Sequence, residues 1–257
     1  MIKILSWNVN GIRAVLKKGL LAWLKKEFPD IICFQETKAF PAQLPPELLY
    51  PPGYQAFYNS ALRPGYSGVA TFVKAGTPPA TAKNGFGIKR FDEEGRVLET
   101  EFKDFTLFNV YFPNGKMNDG RLKFKMEFYE EILKYFVKLK KKGKRLVVCG
   151  DYNTAHKPID LARPKENAKI SGFLPIERAW MDKLGASGFV DTFRVFNQDP
   201  GHYTWWDVIS RARERNVGWR IDYHFISENL KPQLKDAFIL PEVMGSDHCP
   251  VGITLKF

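Results

Sequence analysis

The stretch Leu146-Val147-Val148-Cys149-Gly150-Asp151-Tyr152-Asn153 sets the reading of this chain. A short apolar, β-branched run reads as a strand, and it stops on a glycine and a carboxylate. Inside a strand that carboxylate would be buried at a cost of several kcal/mol unless paired, whereas at the strand's end it can face a cleft. The same ending recurs along the chain. Ile2-Lys3-Ile4-Leu5-Ser6-Trp7 runs into Asn8 and Asn10, and Ile31-Ile32-Cys33-Phe34 runs into Gln35-Glu36. Arg220-Ile221 meets Asp222 as Tyr223-His224-Phe225-Ile226 begins, and Gly245-Ser246-Asp247-His248 precedes Cys249-Pro250-Val251-Gly252-Ile253. In a mixed sheet the end of one strand and the start of its antiparallel neighbour share a rim, so these ends can converge on one polar site. Such a site suits a divalent metal and a phosphate.

The 257 residues, 44% of them hydrophobic, fit one large globular domain or two small ones, and a single domain over residues 1–257 is the expectation. No apolar stretch reaches the ~18–20 residues of a membrane span. The N-terminus opens directly on a strand pattern without a signal-peptide core. The expectation is a soluble, cytoplasmic protein with no targeting segment and no membrane partner, a monomer by default. Cys33, Cys149 and Cys249 each sit in or beside a strand run and form no CxxC pair, which reads as small buried hydrophobes rather than a disulfide or zinc framework. A net charge of +11 and a pI near 9.4 attract polyanions, of which nucleic acid is the commonest.

Leu16 to Phe28 has apolar residues at helical spacing with lysines between, and predicts an amphipathic helix. Residues 40–53 are proline-rich and read as loop with at most one short helix. Short alternating runs at Gln55–Tyr58, Gly68–Val73, Arg96–Phe102 and Thr106–Phe112 predict antiparallel strands. Arg121–Lys141 predicts a long helix with Leu122, Met126, Tyr129, Ile132, Leu133 and Phe136 on its apolar face. The lysines at its end (Lys138, Lys140, Lys141, Lys142, Lys144) read either as a solvated helix terminus or as phosphate contacts. Pro175–Leu184 predicts a further helix. Strands and helices mix, so the fold class is α/β (α+β), with two mixed β-sheets packed face to face and helices outside.

Several side chains carry candidate chemistry. Glu36 is either a surface ion-pair partner or a metal ligand, with Asn8 and Asn10 adding amide oxygens. Such hard donors suit Mg²⁺ or Mn²⁺ rather than Zn²⁺. Asp151 and Asn153, two apart on an extended segment, point to one face. They read either as an Asx turn or as an Asp that orients or deprotonates water, held by the Asn amide. Asp247-His248 lies near a second acid, Asp222, in this reading; an Asp on one ring nitrogen fixes the tautomer and favours imidazolium, a good donor to phosphate. His156, His202 and His224 lack that setting and read as structural. Tyr111 and Asn114 end another strand run. Trp205, Trp206, Arg211, Arg213 and Trp219 interleave rings with guanidinium, either as core beside a charged loop or as a surface for phosphates and bases.

These segments resemble the exonuclease III family of abasic-site (AP) endonucleases, within the DNase I-like phosphoesterases. The matching stretches are SWNVNGIRA (6–14), PDIICFQETK (29–38), GYSGVA (65–70), NVYFPNGK (109–116), CGDYNTAHKPIDLARPKEN (149–167), SGFLPIERAW (171–180), VDTFR (190–194), YTWW (203–206), RARERNVGWRIDY (211–223) and MGSDHCP (244–250). They span the chain in order. The resemblance implies a four-layered sandwich and hydrolysis of the phosphodiester 5′ to an abasic site in double-stranded DNA, leaving a 3′-hydroxyl, with 3′-5′ exonuclease or 3′-end-cleaning activity. It implies that Glu36 binds the metal with Asn10 nearby and Asp247 aiding the metal or leaving-group side. It implies that Asp151 handles the water, held by Asn8 and Asn153, and that His248, paired with Asp222, and Tyr111 bind the scissile phosphate. Trp205, Trp219 and Ile221 match walls of the abasic-sugar pocket, with Asn114, Lys116, Arg211 and Arg213 on the DNA side. Two positions depart from part of the family, which has Asp at Asn10 and Phe at Trp205. A less selective nuclease, another phosphodiesterase on this fold, and a non-catalytic DNA-binding module are the alternatives.

Overall fold

A computed structural model describes residues 1–77 and 81–257. Its strands in chain order are β1 (Ile2–Asn8), β2 (Ile31–Gln35), β3 (Tyr54–Asn59), β4 (Val69–Lys74), β5 (Thr81–Asn84), β6 (Val97–Glu101) and β7 (Thr106–Tyr111). There follow β8 (Leu146–Asp151), β9 (Phe189–Asp191), β10 (Trp205–Trp206), β11 (Gly218–Trp219), β12 (Asp222–Ser227), β13 (Leu234–Ile239) and β14 (Val251–Leu255). One six-stranded sheet has the order β13-β14-β1-β2-β4-β3, a second β5-β6-β7-β8-β12-β9, and β10-β11 form a small ribbon. Both large sheets are mixed: β1–β2 and β7–β8 are parallel pairs, and the other neighbours run antiparallel.

The two-residue period of a strand sorts these apolar runs into layers. Ile4, Ile31, Cys33, Leu107, Val147, Cys149, Ile226 and Ile253 form the core between the sheets. Their neighbours face outward. Leu5, Ile32 and Phe34 pack with Leu20 and Leu24 of helix Leu20–Glu27. Phe108 and Val148 pack with Phe128, Ile132 and Phe136 of helix Asp119–Lys141 and with Trp180 and Leu184 of helix Pro175–Ala186. Two sheets between outer helices is the four-layered sandwich that the sequence predicts.

The predicted helix at 16–28 is corrected. The chain makes a short helix at Ile12–Leu16, then restarts at Leu20–Glu27, because Gly19 adopts φ +97° between them. Helix Asp119–Lys141 starts two residues earlier than predicted, where the Asn118 side chain accepts from the Arg121 amide. Its lysine-rich end leads into the start of β8, while Asp151 lies at the other end of that strand. There Lys140 pairs with Glu228 and Lys144 with Glu101.

Candidate active site

Pairing register brings the strand ends to one rim. Asn8 lies beside Gln35 across the parallel β1–β2 pair, and Tyr111 beside Asp151 across β7–β8. Asp222, the first residue of β12, is the antiparallel partner of Asp151, the last of β8. Gly150 permits the close approach of β8 to β7: a Cβ there would stand 1.9 Å from the Val110 carbonyl oxygen, and its φ is +137°. Glu36, Asn10, Lys38 and Asn153 also take left-handed backbone angles, φ 45–52°. Such conformations in residues other than glycine cluster where surrounding structure over-determines them.

The rim encloses a cavity of about 220 Å³ lined by Glu36, Tyr111, Asn114, Lys116, Asp151, Asn153, Gly172, Trp205, Trp219, Ile221, Asp247 and His248. The buried Asn8 amide lies beneath it and donates to Glu36 Oε1 and Asp151 Oδ2, both at 2.9 Å. Asp151 Oδ1 accepts the Asn153 backbone amide at 2.7 Å, and Oδ2 accepts Asn153 Nδ2 at 3.3 Å. Glu36 pairs with Lys38 at 2.7 Å. Behind the cavity, Asp222 Oδ2 lies 2.8 Å from His248 Nδ1 and accepts the Thr204 hydroxyl at 2.6 Å. His248 Nε2, the other ring nitrogen, is 3.9 Å from Asp151 Oδ2.

Burial and opposite charges compete at each group. Burial alone would lower the His248 pKa, but the charge and hydrogen bond of Asp222, aided by Asp151 and Asp247, raise it to about 10. His248 is therefore an imidazolium at neutral pH. Burial, and next the Asp222 charge, lift Asp151 to about 7 against the pull of His248. Burial works to raise Glu36, yet the Lys38 charge and hydrogen bonds from Asn8 and Lys38 outweigh it and hold the carboxyl below its ordinary value. Tyr111 is pushed well above the usual phenol range by burial and then by Glu36, so it stays a donor. Glu36, Asp151 and His248 each bring one ligand atom within 4.8 Å of the others.

Not every predicted residue reaches the cavity wall. Asp247 lines it, but its oxygens accept Asn10 Nδ2 and Trp205 Nε1, each at 3.0 Å. Asn10 is thereby placed at the edge, also accepting from Lys38. Arg213 donates to the carbonyls of Ser246, Pro241 and Val243, and its guanidinium stacks 4.6 Å from the Trp206 ring centroid. Arg211 and Arg213 line a neighbouring cavity of about 590 Å³ instead. A third cavity, of about 630 Å³, is walled by Phe193, Phe196, Tyr203 and Trp206 and holds none of the carboxylate–imidazole group. His156 bonds Asp182, His202 bonds Asn197, and His224 is buried.

Sequence reasoning missed Gly172, whose φ of +101° lets the chain pass the Trp219 ring, and Thr204, which holds Asp222. It also missed Arg96, whose guanidinium lies 4.7 Å from the Tyr111 ring centroid and donates to the Tyr111 carbonyl. Gly172 and Thr204 both lie in stretches that carry the resemblance, SGFLPIERAW (171–180) and YTWW (203–206).

The family model described as "Endonuclease/Exonuclease/phosphatase family" matches residues 5–248. The chain is 44% identical over 256 residues to an exodeoxyribonuclease of Bacillus subtilis (strain 168), covering 99% of each. It is 43% identical over 256 residues to the DNA repair nuclease APEX1 of Danio rerio, covering 98% of this chain and 82% of that protein. An AP endonuclease from Archaeoglobus fulgidus superposes with a TM-score of 0.90 at 28% identity, with both chains fully covered. With the fold, the rim and these relatives in agreement, the chain belongs to the Endonuclease/Exonuclease/phosphatase family, among its AP endonucleases and exodeoxyribonucleases.

Proposed function

We propose that the chain is a Mg²⁺-dependent AP endonuclease. It hydrolyses the phosphodiester 5′ to an abasic site in double-stranded DNA, leaves a 3′-hydroxyl, and uses the same centre for 3′-end trimming. The observation that carries this reading is that Glu36, Asp151 and His248, the last held from behind by Asp222, share one cavity with Trp205, Trp219 and Ile221. Polar groups suited to a phosphate line one part of the cavity and apolar walls suited to a baseless sugar line another. The small volume favours such a sugar over a complete nucleotide, and extrusion is cheapest where no base is stacked.

The donor set fits a hard divalent cation. Glu36 offers a carboxylate held charged, Asp151 lies beside it with its pKa raised to about 7, and the Asn8 amide bridges the two. When bound, Mg²⁺ (or Mn²⁺) would lie by Glu36, polarise the phosphoryl oxygen and offset developing charge. His248 as imidazolium has no free lone pair, so we assign it to the phosphate rather than to the metal. Asp222 keeps the proton on His248 Nδ1 and leaves Nε2–H to donate to a phosphate oxygen. Tyr111 donates a second hydrogen bond there. Asp151, with a pKa of about 7, takes the proton from the attacking water, and Asn8 and Asn153 fix its orientation. Asp247 supports the edge by accepting from the Trp205 indole, and Asn10 donates to its other oxygen.

The test is cleavage of an end-labelled duplex carrying one tetrahydrofuran abasic analogue, beside an intact duplex, with Mg²⁺ and then with chelator. The expected result is a single Mg²⁺-dependent cut 5′ to the lesion with a 3′-hydroxyl. Equal cutting of both duplexes would favour an unselective nuclease, and activity in excess chelator would remove the metal.

A further inference from the structure

Lys116 stands apart from the other charged groups of the cavity. Its backbone amide is pinned by Asn114 Oδ1 at 2.8 Å, which fixes the turn after β7. Its Nζ lies 5.1 Å from the Trp205 ring centroid and 5.4 Å from that of Trp219. The two indoles meet edge to face, 83° apart with centroids at 6.3 Å, so the ammonium leans over the corner they make. Among the described residues it has no hydrogen-bond acceptor and no ion-pair partner. Lys125, by contrast, donates to Asn153, Thr154 and Glu177. Lys38 is likewise occupied by Glu36 and Asn10. The Lys116 side chain as a whole is exposed at the mouth, yet its head is set among rings. Desolvation there pulls its pKa below the ordinary lysine value, against the charges of Asp151, Glu177 and Asp207. A lysine with no hydrogen-bond acceptor or ion-pair partner among the described residues, set against apolar walls, is a setting in which an amine becomes a carbonyl nucleophile.

Resting on the abasic-site reading above, we infer that Lys116 forms a reversible imine with the aldehyde carbon of a ring-opened abasic deoxyribose lodged between Trp205 and Trp219. The lone pair of the neutral amine makes the N–C1′ bond while the carbonyl π pair moves to oxygen. One N–H proton passes to that oxygen, giving a carbinolamine. The hydroxyl then leaves with the second N–H proton as one water, and C=N remains. Nothing is oxidised or reduced, and no further reactant is needed. Incision 5′ to the sugar leaves the aldehyde on the downstream strand, so the imine can hold the lesion through the cut. Proximity in the cavity makes the addition effectively intramolecular.

The experiment is reductive trapping of the full chain in chelator, with sodium cyanoborohydride and a duplex carrying either an aldehyde abasic site or the tetrahydrofuran analogue. The expected result is a covalent protein–DNA band on denaturing gels with the aldehyde duplex alone. The added mass should map to the peptide that contains Lys116, and Lys116→Arg should cut the yield by about tenfold or more. No band, an adduct that maps to other lysines of the wild-type chain, or an undiminished yield in K116R overturns the inference. Mg²⁺-dependent cutting of the tetrahydrofuran duplex, run in parallel, needs no aldehyde. Cutting without an adduct removes the imine alone, whereas failure to cut removes the abasic-site reading itself.

Discussion

Lys125 and Glu177 form an ion pair sealed from solvent, with Nζ 2.6 Å from Oε1 and both side chains 0% exposed. Lys125 also donates to the Asn153 carbonyl at 2.8 Å, and Glu177 accepts the Gly172 amide at 2.6 Å. Asn153 and Gly172 both line the cavity that holds Glu36, Asp151 and His248. One pair thus ties helix Asp119–Lys141 to two parts of the wall.

Removing one partner leaves the other charge buried and uncompensated. Lys125→Met should cost about 3–5 kcal/mol in urea unfolding, whereas K125M/E177Q, which restores neutrality and keeps acceptors for the Gly172 and Leu174 amides, should recover much of the loss. A double variant no more stable than K125M would show that charge is not the reason. The freed Asn153 should also lower kcat in both variants.

Asp222→Asn removes the charge that keeps His248 protonated. At neutral pH the variant should lose about 10²–10³-fold in kcat, the scale of one preorganised donor to a developing oxyanion. In the wild type the imidazolium persists until pH rises through about 10. With Asp222 neutral, burial is less opposed, and the alkaline limb of the pH–rate profile should move toward acid. Asp151, no longer lifted by Asp222, should shift the acid limb the same way. A profile of unchanged shape would separate Asp222 from the titration of both.

His224 gives a stability dependence of the opposite sense to His248. Burial lowers its pKa to about 3 in the folded chain. The unfolded imidazole titrates near ~6.5. Between these values the unfolded chain binds the extra proton, so stability is lost as pH falls through that window. From pH 7 to pH 5 this residue should remove ~2 kcal/mol, and His224→Leu should flatten that slope. Parallel urea titrations of the two proteins at both pH values check it.

Glu36 is the carboxylate we place on the metal. Saturating Mg²⁺ should raise the wild-type melting temperature, by the equivalent of ~2.7 kcal/mol at a hundredfold excess over Kd. Glu36→Gln should erase most of that shift. Equal shifts in both proteins would move the metal elsewhere.

The local record in the sequence was extensive because strands sort side chains by parity. Ile4 against Leu5, and Val147 against Val148, announce two buried faces and hence helices outside. The apolar runs end where Asn8, Glu36, Tyr111, Asp151 and Asp222 begin, since an unpaired carboxylate or amide is costly within a core. Most of the residues picked on that basis line the cavity or hydrogen-bond to it from behind. The helix expected at 16–28 failed because Gly19 resets the backbone where the apolar spacing runs on. Arg211 and Arg213 read as neighbours of the tryptophans, and Arg213 does stack on Trp206, but both line the adjacent cavity rather than the one walled by Trp205 and Trp219.

By itself, then, the sequence of this phosphodiester hydrolase determined its layers, its strand ends and the residue types available at the rim. Only the tertiary structure decided what those residues are electrostatically. Asp222 and His248 are 26 positions apart, and Lys125 and Glu177 are 52. A lysine among apolar helix positions looks the same in sequence whether it reaches water or a buried carboxylate. The proton on His248, the raised pKa of Asp151 and the seat of Lys116 over Trp205 all depend on desolvation and on distances of a few ångströms between remote segments. Periodicity encodes which face a side chain takes, whereas its charge state is set by the groups that folding brings against it.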